Sequence, residues 1–244
     1  EEEVQRNRRL RATGEMAAGI AHEIRNPLGS IELFSSLLKK DLSGDQDKKE
    51  IVEHISASVK NMDRIISSLL LFAKSPQPSR QLCDLNELLK TIFEDPSAIL
   101  IPKEINPVLN FSEDAIANGD SHLLKQVFIN LIRNAVQAMP EGGDLKITTK
   151  KSSLLEPTSD KSDYCRQFIE VIVADQGGGV SEENLANIFN PFFTTKDHGT
   201  GLGLSISHNI IKAHQGTIDL ENEGGKGARF ILKIPCWDHE LDKK

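Results

Sequence analysis

From Met16 onward, apolar side chains fall at Met16, Ile20, Ile24, Pro27, Ile31, Phe34 and Leu38, in steps of four and three residues. Such steps lay one apolar stripe along a helix. A second stripe repeats the rhythm through Ile51, Ile55, Val59, Met62, Ile66, Leu69 and Ala73. Between the two, Leu42-Ser43-Gly44-Asp45-Gln46-Asp47 supplies a helix-stopping glycine and capping side chains, which predicts an antiparallel helical hairpin. A lone hairpin leaves each stripe half exposed. Pairing two hairpins into a four-helix bundle covers both stripes, so the expected state is a homodimer.

The periodicity changes after Ser75-Pro76-Gln77-Pro78-Ser79, where two prolines in four residues cannot continue a helix and instead make a short, semi-stiff link. The chain therefore divides into a helical hairpin domain (1–75), a linker (76–80) and a second domain (81–244). In the second domain Leu85 to Phe93, Ser121 to Ala138 and Leu204 to His214 have helical spacing. Leu145 to Thr149, Phe168 to Ala174, Thr217 to Glu221 and Arg229 to Ile234 have the composition of strands. The polar stretch Ser152 to Arg166 reads as a long hairpin loop. This mixture predicts an α/β sandwich with helices on one face of a mixed sheet, and an α+β class for the whole chain.

Composition narrows the function. A formal net charge of −7 opposes the broad basic surface a nucleic-acid binder needs, and the one basic cluster, Arg6, Arg8, Arg9 and Arg11, sits among glutamates. No direct DNA binding is expected. Three cysteines, Cys83, Cys165 and Cys236, lie far apart without metal-ligand spacing, which fits a reducing, cytoplasmic setting. No apolar run reaches the roughly 20 residues of a membrane span, and the charged start has no signal-peptide core.

On the first helix His22 falls about 160° from the centre of the stripe, so its ring is expected to face solvent. Asn26 lies one turn later on nearly the same side, Glu23 toward the flank, and Pro27 is expected to disturb the helix just below. With an ordinary pKa of about 6.5, most such rings are neutral at pH 7 and carry a bare nitrogen able to attack phosphorus. What the ring still needs is a carboxylate to fix its tautomer, and Glu23 is the nearest one.

Four segments of the second domain carry further candidate chemistry. Asn130 and Asn134, one helical turn apart, offer amide oxygens that suit magnesium without adding charge beside a triphosphate. Asp175 ends a buried strand before Gly177, Gly178 and Gly179, where a carboxylate can accept from an exocyclic amine and glycines admit a flat ring. Asn187 to Lys196 sets aromatics beside a cation. Gly199-Thr200-Gly201-Leu202-Gly203 leads into a helix whose first N–H groups can bind phosphate. Each segment alone has a plainer reading: solvated or capping asparagines, a tight turn, Phe189, Phe192 and Phe193 as core anchors, and a common glycine run.

Together these segments resemble the histidine kinases. Ala21 to Leu28 is similar to their H-box, and Asn130 to Ala138, Asp175 to Gly179, Asn187 to Lys196 and Gly199 to Leu204 are similar to their N, G1, F and G2 boxes, in family order. The likeness runs from about Ala12 to Pro235. It implies a Bergerat-type sandwich binding ATP and Mg2+ under a mobile lid between the F and G2 boxes. His22 would accept the phosphoryl group, with Glu23 assisting. Asn26 belongs to a motif linked to dephosphorylating the partner. Asn134 would ligate magnesium, Asn130 and Lys196 would meet phosphates, and Asp175 would hold the adenine amino group. Gly177, Gly179, Thr200, Gly201, Leu202 and Gly203 would shape the pocket. Implied partners are a second copy, the receiver domain of a response regulator, and an upstream sensor domain outside this chain. Details of the H-box and of Ala138 to Gly143 look closest to the nitrogen-regulation-type branch. Many relatives have Thr or Ser after the last glycine pair where this chain has Ala228, which implies weaker adenine recognition or a water in its place. An ATPase clamp of the same fold would use a glutamate where Asn130 stands, and a catalytically idle adaptor would not need His22, Glu23 and Asn134 intact.

Overall fold

The computed structural model divides into two compact units, Glu1–Ser75 and Pro76–Lys244. It describes residues 24–42, 46–73, 76–95, 99, 101–156, 164–196, 199–222 and 227–238.

In the first unit, helix α1 covers the described residues 24–41 and α2 runs Gln46–Ala73. Cross-helix bonds set them antiparallel: Arg25 donates to Asp63 Oδ1 (2.8 Å) and Ser67 Oγ (2.7 Å), while Lys39 meets Glu53 at 2.8 Å toward the other end. These are half-exposed contacts, each contributing no more than about 1 kcal/mol, so they specify register more than stability. Helix α1 includes Pro27, while the carbonyl that a proline there would displace, that of Glu23, lies outside the described residues.

On α2 the packed seam uses Val59 and Ile66 of the expected stripe, whereas on α1 it runs through Leu28, beside the expected one. Leu28, Val59 and Ile66 form the cluster, with Leu70 packed against it; Ser35 and Val52 are buried too. Ile24, Ile31, Phe34 and Leu38 on α1, and Ile51, Ile55 and Met62 on α2, remain exposed. On each helix the exposed set lies about 40–120° to one side of the seam. Two helices meet along a single line, so only one edge of each apolar stripe is covered.

In the second unit a five-stranded mixed sheet has the order β2-β4-β5-β7-β6, and a two-stranded sheet pairs β1 with β3. The strands are β1 (Gln81–Asp84), β2 (Ile105–Asn110), β3 (Ile116–Gly119), β4 (Gly143–Glu156), β5 (Tyr164–Ala174), β6 (Thr217–Asn222) and β7 (Ala228–Pro235). Among the described residues only β2 and β4 pair in parallel. The helices are α3 (Leu85–Glu94), α4 (Ser121–Ala138), the short α5 (Glu182–Leu185) and α6 (Gly203–Ala213). Asp84 and Asp120 cap α3 and α4, each accepting from two backbone N–H groups of the first turn.

Helix α4 buries Leu124, Val127, Phe128, Leu131, Ile132 and Ala135, and packs against β4, β5, α3 and α6. Each large side chain so buried contributes roughly 1.5–3 kcal/mol of transfer free energy. Of the expected loop at Ser152 to Arg166, the described residues 152–156 and 164–166 are strand, because β4 and β5 stay in register to Glu156 and Tyr164. Antiparallel pairing satisfies backbone groups whatever the side chains, so a polar hairpin continues past the core. Strand β2 gave no sequence signal because Pro107 interrupts it; as an edge strand it tolerates a missing N–H.

Candidate functional site

The apolar face of α4 fixes where its polar face looks. Asn130, Asn134 and Gln137 recur at steps of four and three, on the side turned from the buried residues. The Asn130 Nδ2 donates to Ser207 Oγ on α6 (3.0 Å), and that hydroxyl donates to the Gly203 carbonyl (3.0 Å). Gly203 stands against the Asn130 amide so closely that a Cβ there would overlap Oδ1. The start of α6 is thus pinned to α4.

Leu202 stands at the N-cap of α6 and provides no side-chain cap, so no cap side chain occupies the helix's leading N–H groups. Leu202 is buried and anchors the turn, and its N–H meets Thr200 Oγ1 at 3.4 Å. Gly201 has φ +66 and lies against the backbone of Phe192, itself at φ +65. Phe192 is 62% exposed, which corrects its reading as a core anchor; Phe189 instead packs on His208, with ring centroids 5.4 Å apart.

At the end of β5, the buried Asp175 accepts at Oδ1 from the N–H groups of Gly177 (2.9 Å) and Ala228 (3.2 Å). Burial raises its carboxyl pKa. The two backbone bonds and the Lys196 ammonium partly oppose that rise. Gly177 runs against the end of α4, where an added Cβ would lie 2.5 Å from the Ala138 carbonyl oxygen. Gly179 (φ +69) leads to Val180, which the Asn222 amide clamps through both its N–H (3.0 Å) and its carbonyl.

Lys196 closes the arrangement. Its Nζ donates to Gln137 Oε1 at 2.7 Å and to Asn134 Oδ1 at 3.4 Å. Desolvation lowers its pKa, and attraction to Asp175 opposes that shift. The side chain still meets solvent.

The structure therefore brings together Asn130, Asn134, Asp175, Gly177, Gly179, Lys196, Thr200, Gly201, Leu202 and Gly203. Asn26 belongs to the other unit, exposed on α1 nearly opposite Leu28. His22 and Glu23 lie outside the described residues. Gln137, Ser207 and Asn222 escaped the sequence reading. Gln137 shares the helical spacing of the two asparagines and was legible on that ground; Ser207 and Asn222 act through contacts distant in sequence.

Chemically, the site offers a fixed carboxylate, a cation, a helix N-terminus and neutral amide oxygens. Such a set suits a polyanion attached to a flat ring bearing an amine. Among the described residues no group of three or more His, Cys, Asp or Glu is placed to hold a metal. The Asn134 and Gln137 oxygens already accept one cationic group, the Lys196 ammonium, and the Asn134 oxygen, as a hard neutral donor, fits Mg2+ completed by phosphate oxygens and water.

Residues 12–78 match the family described as His Kinase A (phospho-acceptor) domain, and residues 119–238 match Histidine kinase-, DNA gyrase B-, and HSP90-like ATPase. Sporulation kinase C of Bacillus subtilis is 38% identical over 94% of this chain and 50% of its own length. Sensor histidine kinase ZraS of Escherichia coli K12 is 33% identical over 96% of this chain and 48% of its own. The chain thus spans half or less of the length of these curated relatives. Among solved structures, full-length ShkA in complex with AMPPNP is 25% identical, with a TM-score of 0.69 over 91% of this chain and 45% of that one. The catalytic domain of histidine kinase ThkA is 34% identical, with a TM-score of 0.50 over 64% of this chain and 95% of that one.

Proposed function

Because the chain belongs to the histidine kinases, with both its phospho-acceptor and its ATPase-type regions matched, we propose that it transfers the γ-phosphoryl group of ATP to His22 and then to an aspartate of a response regulator. Residues 1–75 serve as the dimerising phosphotransfer unit and 81–244 as the nucleotide-binding unit. In the first step a P–N bond forms at a bare imidazole nitrogen, the bond between the γ-phosphorus and the β–γ bridging oxygen breaks, and ADP leaves. In the second, the P–N bond breaks as a P–O bond forms on the regulator's carboxylate.

The observation that carries this reading is the convergence on one pocket of the Asp175 carboxylate, the α4 amides, Lys196 and the N-terminus of α6. Asp175, held at Oδ1 by two backbone N–H groups, keeps Oδ2 for the adenine amine. The Ala228 peptide N–H makes one of those bonds, so the absent hydroxyl leaves the carboxylate oriented. The α6 N–H groups and Lys196 take phosphate oxygens. Asn134 holds Mg2+, which when bound offsets charge on the triphosphate. Asn130 orients Gly203 through Ser207 and turns its amide to the phosphates. Positioning and charge compensation suffice for a loose phosphoryl transition state. On the first unit, Glu23 fixes the imidazole tautomer, and Asn26 positions water for dephosphorylating the regulator.

Incubation of the chain with γ-labelled ATP and Mg2+ tests the proposal. An acid-labile, base-stable label on the protein, lost in His22→Gln and reduced about a hundredfold or more in Asn134→Ala, is the expected outcome. Release of free phosphate without protein label would point instead to an ATPase clamp. Here the amide of Asn130, bonded to Ser207, is no base for activating water.

A further inference from the structure

The bond from Lys196 to Gln137 has no part in the nucleotide site proposed above. At 2.7 Å it is shorter than the 3.4 Å contact from the same ammonium to Asn134. Gln137 lies three residues beyond Asn134 on the same face of α4, so the two amide oxygens form a ready-made seat for one cation. The ammonium in that seat is partly desolvated, and the carboxylate that attracts it, Asp175, directly follows the last residue of β5.

Lys196 cannot serve two purposes from this position. While its Nζ holds the Asn134 oxygen, that oxygen is denied to a metal ion, because two cations at one neutral acceptor repel strongly. A lysine bonded to α4 also has fewer N–H donors left for phosphate.

We propose that Gln137 is a positioning residue that parks Lys196 on α4 before nucleotide enters, so that occupation of the pocket by Mg2+ and triphosphate requires the ammonium to leave Gln137 and Asn134 for the phosphate oxygens. This inference rests on the proposed nucleotide site and adds to it a resting state. Because the parked form is not the binding-competent one, apparent affinity is reduced by the fraction of molecules in it. Gln137 thereby opposes binding while making no contact with the nucleotide.

The test uses the whole chain and equilibrium binding of a non-hydrolysable ATP analogue, with and without Mg2+, read by calorimetry. Gln137→Met keeps the length and helix propensity of the side chain but removes the acceptor. The variant is expected to bind the Mg2+-analogue complex about three- to tenfold more tightly than wild type, the equivalent of one net hydrogen bond. In a Lys196→Met background the same substitution is expected to change nothing, since the parked group is gone. Unchanged or weaker binding in Gln137→Met, or an equal change in the Lys196→Met background, overturns the parking role. If wild type binds the analogue but Gln137→Met is neutral, the pocket stands and only the parking fails. If wild type binds none, both fall together.

Discussion

Asp175 shows how a single residue reconciles function with folding. Burial lifts its carboxyl pKa above the usual carboxylate range, so the folded state favours the proton more than the unfolded chain does. A pKa raised in this direction means that stability is fully present below the unfolded value, near 3.9, and declines as pH rises through the folded value. At pH 7 the charged form is therefore held at some expense to the fold. Asp175→Asn retains an oxygen to accept from Gly177 and Ala228 while discarding the charge. Its expected outcome is a melting temperature equal to or above wild type at pH 7, with ATP affinity about ten- to a hundredfold lower for want of a charged acceptor. Scanning calorimetry and nucleotide titration check the two halves separately.

At the scale of elements, the start of α4 and the end of α6 are joined by a buried imidazole that the sequence reading did not single out. Asp120 caps α4, and its own N–H donates to His214 Nε2 (2.9 Å), while His214 Nδ1 donates to the Ile210 carbonyl (2.8 Å). The linker joins the same junction: the Ser79 N–H donates to Asp120 Oδ2 (3.0 Å), and Arg80 donates to the Ala213 carbonyl (2.8 Å). Accepting at Nε2 requires the neutral ring, and burial lowers the His214 pKa accordingly. The lowered value means that the unfolded chain binds the extra proton first. The stability contributed by this ring is thus complete above about pH 6.5 and falls as pH drops from there toward the folded value. Replacing His214 by Phe strands the Asp120 N–H and is expected to destabilise the second unit by about 1–3 kcal/mol at pH 7.5. The same change should flatten the wild-type loss of stability between pH 6.5 and 5, as followed by denaturant titration across that range.

On the scale of the whole molecule, the first unit exposes more apolar surface than a monomer needs. Ile24 and Ile31 (each 41% exposed), Phe34 (62%), Leu38 (49%), Ile51 (59%) and Met62 (43%) form a band beside the closed seam. A second hairpin set against this band would complete a four-helix bundle. Phe34→Glu is expected to weaken self-association at least about a hundredfold, since a buried charge replaces a buried aromatic, and sedimentation equilibrium of the whole chain measures it. The sequence by itself determined the hairpin and the span of α4, and it marked Asn130, Asn134, Asp175 and the glycines as candidates for one site. Helical periodicity and strong local punctuation such as capping aspartates and Pro-x-Pro are properties of neighbouring residues. Tertiary structure alone decided the place of Leu28 in the seam, the proline-bearing edge strand β2, the lengthened β4–β5 hairpin, and the seating of Lys196 on Gln137. Those features depend on which distant surface or backbone group arrives opposite, and a linear pattern carries the need for a partner without saying which partner fills it.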